Sequence, residues 1–252
     1  MGAMNTRPAN ELRPTTIEPF PAGSGGPVGA PGSVMISAGQ TRVLCTASVQ
    51  ADVPRWIAKD PETGEPAHGW VSAEYSMLPG STPQRKKRGP DGRGTEIQRL
   101  IGRALRAAVD FDKMPGLAIT CDCDVITADG GTRTAAITGA YVALAQALDW
   151  ARQQGRLTDH PIVSPIAAIS VGIIDGQPTL DLDYPLDVRA EVDMNVAMNS
   201  QGQFIEVQGT GEKGTFGRGQ LNELLDLAEA GIHQLMGIQK QAIESLGITA
   251  ID

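Results

Sequence analysis

The sequence contains few aromatic residues and few cysteines. Phe, Trp and Tyr together make up 4% of its 252 residues, whereas hydrophobic residues make up 41%. A sizeable core must therefore be built mainly from Ala, Val, Ile and Leu. The three cysteines, Cys45, Cys121 and Cys123, cannot all pair, and the last two are poorly placed for a mutual disulfide on one strand. They indicate small buried residues in a reducing cytoplasm.

Long apolar runs are also missing. No run approaches the roughly 20 residues that a membrane span needs, and the N-terminus lacks the apolar stretch of a signal peptide. These absences predict a cytoplasmic protein without a membrane partner. Residues 1–3 are interpreted as an expression remnant. The three scattered histidines, with no nucleophile motif beside them, support neither a zinc site nor a Ser-His-Asp triad.

Positive charge is concentrated in one window of an acidic chain. The formal net charge is −8, which disfavours indiscriminate binding to nucleic acid. Residues 85–106 hold eight basic and two acidic residues, a net charge of +6, and the remainder of the chain carries −14. The basic residues are Arg85, Lys86, Lys87, Arg88, Arg93, Arg99, Arg103 and Arg106. The window predicts either a local site for a polyanion or a solvated loop followed by a salt-bridged helix.

A strand, a glycine turn and a helix start follow one another near residue 131. Apolar residues alternate along 117–125, Gly130 and Gly131 follow, and a helix-compatible stretch covers 135–150. The free N–H groups of a first helical turn and the helix dipole favour an anion, and the guanidinium of Arg133 suits phosphate oxygens. The same residues also fit a tight turn with a solvated Arg133, because the pattern is neither a Walker nor a Rossmann motif.

Carboxylates are crowded between residues 181 and 193, where Arg189 is the one cation. The acidic residues are Asp181, Asp183, Asp187, Glu191 and Asp193. Such carboxylates repel one another unless a divalent cation or protons intervene, and one or two carboxylates with substrate phosphates usually hold Mg²⁺. A magnesium site and a hairpin rim facing water are the two interpretations of this run.

The order of predicted elements indicates an α+β protein with two similar halves. In the first half we expect an extended arm at 5–32, a hairpin at 33–48, a loop at 57–68, a strand at 70–77, a basic loop at 81–94, a helix from Thr95 to about Asp110 and a buried helix at about 134–153. In the second half, turns at 175–176 and 200–202 predict two hairpins, and 219–247 predicts an amphipathic helix. We place two domains at 1–160 and 161–252.

The helix predicted from Thr95 carries three arginines on one face. Arg99, Arg103 and Arg106 recur at i, i+4 and i+7, so they form one stripe. Like charges in a row are unfavourable unless a negative group lies opposite them. RNA, acidic residues of this chain and a partner subunit are the candidates for that group.

Several motifs, in their order along the chain, resemble the bacterial RNase PH family. They are TRVLCTASV (41–49), GWVSAEYSMLP (69–79), GRGTEIQRLIGR (92–103), DCDVITADGGTRTAAITGA (122–140), DVRAEVDMN (187–195) and FIEVQGT (204–210). The resemblance covers about residues 11–245. It implies an α+β fold of two βαβα-like halves with mixed sheets, related to a ribosomal-protein-type left-handed βαβ fold.

The resemblance also implies an activity. RNase PH enzymes are phosphorolytic 3′→5′ exoribonucleases that trim tRNA precursors, use inorganic phosphate as the nucleophile and release nucleoside diphosphates. The reverse reaction adds nucleotides. The family forms homohexamers, as trimers of dimers, with a basic channel for RNA.

Site residues follow from the matched motifs. Arg93, Gly131, Thr132 and Arg133 would hold the attacking phosphate. Asp187 and Asp193 would bind Mg²⁺ and serve catalysis, with Asp187 the better candidate for protonating the departing 3′ oxygen. The residues expected to contact RNA are Arg85, Lys86, Lys87, Arg88, Arg99 and Arg103.

Two other functions are compatible with parts of this pattern. A non-catalytic RNA-binding ring subunit would lose the phosphate arginine or the carboxylates, and this sequence keeps both. A polynucleotide phosphorylase acting on mRNA would carry a lysine where Asn195 stands, together with a second copy of the unit. Both are therefore alternatives to the RNase PH assignment.

Overall fold

A computed structural model describes residues 7–21, 26–62, 64–89 and 91–249. The interpretation of residues 1–3 as an expression remnant falls outside these ranges. In the described residues, the first half of the chain consists of β1 (Thr15–Pro19), β2 (Gly32–Ala38), β3 (Thr41–Gln50), β4 (Trp70–Met77), α1 (Gly92–Arg106), β5 (Ala118–Thr127) and α2 (Thr132–Gln153). These strands pair in the order β1-β2-β3-β5-β4. Only the β4–β5 pair, which α1 connects, is parallel among them.

The second half forms an antiparallel sheet with one short and one long helix. Its elements are β6 (Ile166–Ile174), β7 (Gln177–Leu180), α3 (Tyr184–Arg189), β8 (Val192–Asn199), β9 (Phe204–Gly211) and α4 (Arg218–Ser245). The strands pair in the order β7-β6-β8-β9. Both halves place strands before a long helix, so the predicted α+β class with two related halves is confirmed.

The helix α2 lies in the core, where it contacts β2 and β3 of one sheet and β6 of the other. Its small side chains allow close approach. A Cβ atom added at Gly139 would lie 2.8 Å from both the Cys45 Sγ and a methyl carbon of Ile36. The buried helix predicted here is confirmed. Cys45, Cys121 and Cys123 are free thiols buried in the same core, as expected.

Several element boundaries differ from the prediction. The arm contains the strand β1, which pairs with β2. The helix α1 begins at Gly92, because Asp91 rather than Thr95 caps it by accepting the Gly94 N–H, and it ends at Arg106. The helix α3 was not predicted, although Asp183 is a suitable cap and Pro185 occupies its first turn.

The hairpin between β6 and β7 follows the prediction. Asp175 and Gly176 have φ angles of 49° and 77°, which fit the left-handed turn that joins two antiparallel strands. Among the described residues, no helix combines the length and the apolarity that crossing a bilayer requires.

Candidate active site

The glycine turn that precedes α2 is packed against the second half of the chain. Gly130 and Gly131 have φ angles of 74° and 63°, in the left-handed region that favours glycine. A Cβ atom at Gly130 would lie 2.6 Å from the carbonyl oxygen of Leu182 and 2.8 Å from the backbone nitrogen of Tyr184. Glycine is therefore required by both conformation and space, and the turn fixes the position of α3 relative to α2.

Two side chains hold this turn in place by hydrogen bonds to its backbone. The Thr41 hydroxyl donates to the Gly130 carbonyl at 2.7 Å and accepts from the Asp129 N–H at 2.9 Å. Arg13 donates to the Asp129 carbonyl at 2.7 Å and forms a buried ion pair with Asp181, also at 2.7 Å. The sequence did not suggest Arg13, since its partners lie more than a hundred positions away along the chain.

The first turn of α2 offers unused backbone donors. The turn's earliest helical hydrogen bond runs from the Ala135 N–H to the Gly131 carbonyl at 3.0 Å. Gly131 provides no side-chain cap. The N–H groups of Thr132, Arg133 and Thr134 therefore have no partner within the helix, which is the arrangement that binds anions at helix N-termini.

Two arginines lie near this helix start. The Arg133 Nη1 donates to the Gln208 Oε1 at 2.9 Å. Arg93 lies in the first turn of α1. Tyr75 lies near both arginines and also contacts the helix start, where its hydroxyl forms a hydrogen bond with the hydroxyl of Thr132 at 2.8 Å. Burial raises the pKa of Tyr75, while its bond to Thr132 and the charges of Arg93 and Arg133 oppose that shift.

The carboxylates of Asp187 and Asp193 lie close enough to these arginines to interact with them electrostatically. Burial raises the pKa of Asp193 to about 6, and the nearby charge of Asp187 adds to the effect, while Arg133 and Arg93 oppose it. Burial likewise raises the pKa of Asp187 against the opposing charges of Arg93 and Arg133. The structure therefore brings together the four charged residues that the motifs predicted for the site.

The other carboxylates of the crowded run have separate roles. Asp181 pairs with Arg13, Asp183 caps α3 by accepting the Leu186 N–H at 3.0 Å, and Glu191 accepts the Gly176 N–H at 3.1 Å. Asp181, Asp183 and Glu191 therefore stabilise the fold, whereas Asp187 and Asp193 lie near the two arginines. Glu212, which the sequence did not suggest, is near enough to raise the pKa of both Asp187 and Asp193.

The residues near Arg93 and Arg133 supply two carboxylate ligands for Mg²⁺. No group of three or more His, Cys, Asp or Glu residues in the described ranges could hold a metal ion. Two carboxylates are present, and Mg²⁺ in phosphoryl-transfer sites is commonly held by one or two carboxylates, water and substrate phosphates. The residues present therefore fit a magnesium ion that binds together with phosphate.

The basic loop borders a cleft next to Arg93. Lys86, Lys87 and Arg88 line a cavity of about 750 Å³ together with Tyr75 and Arg93. Arg85 is exposed beside it. This places three of the loop's cations on one continuous surface with a predicted phosphate ligand.

The arginine stripe of α1 is partly engaged within the chain. Arg103 forms an ion pair with Glu206 of β9 at 3.0 Å. The Arg106 guanidinium lies 4.9 Å from the centre of the Trp70 ring, a cation–π contact. Arg99 is exposed. Of the three candidates for the opposing group, an acidic residue of the same chain is the one observed at Arg103.

Comparison with known proteins places both halves in one family. The model described as "3' exoribonuclease family, domain 1" matches residues 11–148, and "domain 2" of the same family matches residues 164–231. Ribonuclease PH of Corynebacterium efficiens is 55% identical over 84% of this chain and 86% of its own. Ribonuclease PH of a Synechococcus species is 50% identical over 95% and 96%.

Solved structures share the fold at lower identity. The Archaeoglobus fulgidus exosome with RNA bound to the active site matches with a TM-score of 0.75 at 19% identity, over 93% of this chain and 91% of its own. Rice Rrp46 matches with a TM-score of 0.72 at 17% identity, over 94% and 98%. At these identities the likeness establishes the fold alone.

Proposed function

This chain belongs to the ribonuclease PH family of 3′ exoribonucleases, and from that premise we propose how its cleft catalyses phosphorolysis. The protein is a phosphate-dependent 3′→5′ exoribonuclease that releases nucleoside diphosphates and can run in reverse as a nucleotidyltransferase. The enzyme class predicted from the motifs is confirmed. The non-catalytic subunit and the polynucleotide phosphorylase are not favoured.

The observation that supports the site assignment is the proximity of two arginines, unused helix N–H groups and two carboxylates around the start of α2. Inorganic phosphate binds at Gly131, Thr132 and Arg133, with Arg93 on its other side. Phosphate and the terminal phosphodiester are both anions, so their approach requires concentrated positive charge. Fixed guanidinium and N–H donors supply it without reorganising during the reaction.

The chemical step is an in-line transfer in which phosphate is already the nucleophile. A phosphate oxygen forms a bond to the phosphorus of the last phosphodiester, while the bond from that phosphorus to the 3′ oxygen of the preceding nucleotide breaks. The terminal nucleotide leaves as a nucleoside diphosphate. The departing 3′ oxygen takes a proton from Asp187, whose raised pKa leaves more of it protonated at a given pH than an ordinary aspartate.

Asp187 and Asp193 would also hold Mg²⁺, which neutralises charge on phosphate oxygens when it is bound. The raised pKa of Asp193 is consistent with this role, because two carboxylates in one partly buried cleft repel each other without a cation. Asp193 belongs to β8, so the sheet fixes its position beside Asp187.

The proposed substrate is the 3′ end of a tRNA precursor, and the proposed assembly is a homohexamer in the cytoplasm. The exposed basic residues support RNA binding, and a ring would gather six copies of the locally positive window although each chain is acidic overall. Arg85, Lys86, Lys87, Arg88 and Arg99 are the proposed RNA contacts. Arg103 joins them only if its pair with Glu206 opens. Size-exclusion chromatography with light scattering tests the hexamer.

One assay tests the proposed function. A tRNA precursor is incubated with the enzyme and Mg²⁺, with and without inorganic phosphate, and the mononucleotide products are identified. We expect nucleoside diphosphates that appear only with phosphate. Nucleoside monophosphates formed equally without phosphate would contradict the proposal. An unrelated RNA with the same 3′ sequence serves to measure the preference for tRNA.

A further inference from the structure

The guanidinium of Arg133 is bonded to one set of acceptors and attracted by another. The Gln208 Oε1 is 2.9 Å and the Glu96 Oε1 is 3.5 Å from its Nη1. Its charge also acts on Asp187 and Asp193, to which it makes no hydrogen bond among the described contacts. The Arg133 side chain is only 17% exposed, so its attraction to the acid pair is weakly screened. An arginine free to rotate would therefore turn towards the carboxylates.

Gln208 forms a bridge that opposes this rotation. Its Oε1 accepts from Arg133 at 2.9 Å, and its Nε2 donates to the Glu96 Oε1 at 3.1 Å. Both ends of the amide are thereby used, which fixes its orientation. Glu96 lies on α1 and Gln208 on β9, so the bridge also joins the two halves of the chain.

A neutral amide suits this position better than a carboxylate. It accepts a hydrogen bond from Arg133 without cancelling the positive charge that a phosphate would meet. The Glu96 carboxylate lies farther away, and its side chain is 47% exposed, so solvent screens its attraction for Arg133. The arrangement restrains the guanidinium at little cost to its charge.

We propose that Gln208, oriented by Glu96, is a positioning residue that holds the Arg133 guanidinium away from Asp187 and Asp193 and directed at the phosphate. The inference rests on the proposed function, because it takes Arg133 as a phosphate ligand. Its consequence is that the bridge keeps the cationic and the acidic sides of the cleft separate before substrate binds.

The test is the Gln208→Met variant, which keeps the approximate shape and removes both hydrogen bonds. Loss of a hydrogen bond to a charged group predicts a rise of about tenfold in the KM for phosphate. In the reverse reaction the KM for a nucleoside diphosphate rises similarly. The KM for RNA and the melting temperature stay near wild type. Gln208→Glu also raises the phosphate KM, because its carboxylate competes with phosphate for Arg133.

The matched control is Glu206→Gln, on the same strand. It removes the charge from the Arg103–Glu206 ion pair, which also joins α1 to β9, without touching Arg133. Its phosphate KM should stay at the wild-type value. An unchanged phosphate KM in Gln208→Met, or an equal rise in Glu206→Gln, would overturn the inference.

Arg133→Ala distinguishes a failure of the positioning role from a failure of the phosphate site. If Arg133→Ala raises the KM for phosphate while Gln208→Met does not, only the positioning role fails. If Arg133→Ala retains the wild-type phosphate KM, the phosphate site itself is wrong.

Discussion

Replacing Asp193 with Asn should stabilise the metal-free protein above pH 7 while removing its activity. Burial and the charge of Asp187 raise the pKa of Asp193 from the ordinary 3.8 to about 6. A carboxyl group with a higher pKa in the folded state binds its proton more tightly there than in the unfolded chain. The folded protein therefore loses stability as the pH rises from about 4 through 6. Asn carries no charge and avoids this loss.

The expected gain follows from the size of the shift. A rise of about two units corresponds to at most ~3 kcal/mol of destabilisation at high pH. The part-exposed edge of the cleft reduces this figure, and we expect about 1–2 kcal/mol at pH 8. For a chain of this length, 1 kcal/mol shifts the melting temperature by about 2–4 °C. Asn at position 193 should thus raise the melting temperature at pH 8 by several degrees.

The assay is thermal unfolding in EDTA at pH 8 and at pH 5. The advantage of Asp193→Asn should be largest at pH 8 and about half as large at pH 5, which lies between the unfolded and folded pKa values. Asp181→Asn is the control, because Asp181 forms a buried pair with Arg13 and its loss should lower the melting temperature at both pH values. An Asp193→Asn protein that is no more stable than wild type at pH 8, or that gains equally at pH 5, would show that a charged Asp193 does not destabilise the fold.

Three further outcomes are expected. Arg133→Ala should lower the rate of phosphorolysis by about 10²–10³, measured as nucleoside diphosphate released; a wild-type rate would show that Arg133 does not hold phosphate. Gly130→Ala should lower the melting temperature and the activity together, by roughly 1–3 kcal/mol in unfolding free energy, because a Cβ there meets the Leu182 carbonyl at φ 74°. RNA affinity should fall steeply as salt rises, and Lys86→Ala with Lys87→Ala should flatten that dependence; equal slopes would exclude the loop as a phosphate contact.

The central elements of the site could be predicted because their signals are local. The glycine turn and Arg133 lie in one continuous stretch that combines strand alternation, two glycines and a helix start. Asp187 and Asp193 were visible as part of a carboxylate cluster with a single cation. The cluster could not be divided from the sequence, since the pairing of Asp181 with Arg13 bridges the two halves of the chain.

Residues that act across the halves escaped prediction. Gln208 lies on β9 and Glu212 directly after it. Gln208 contacts Glu96 on α1 and Glu212 lies near Asp187 on α3, and no periodic pattern in the sequence indicates such contacts between distant elements. The partner of the arginine stripe could not be predicted for the same reason, because Glu206 lies about a hundred positions along the chain from Arg103. The helix α3 was missed since its six residues are too few to establish a helical period.

The phosphate site is tested by a crystal structure of the enzyme with inorganic phosphate. We predict a phosphate bonded to the N–H groups at the start of α2 and to the guanidinium groups of Arg93 and Arg133, facing Asp187 and Asp193. A phosphate held only by Lys86, Lys87 and Arg88, with the start of α2 left to water, would contradict the account.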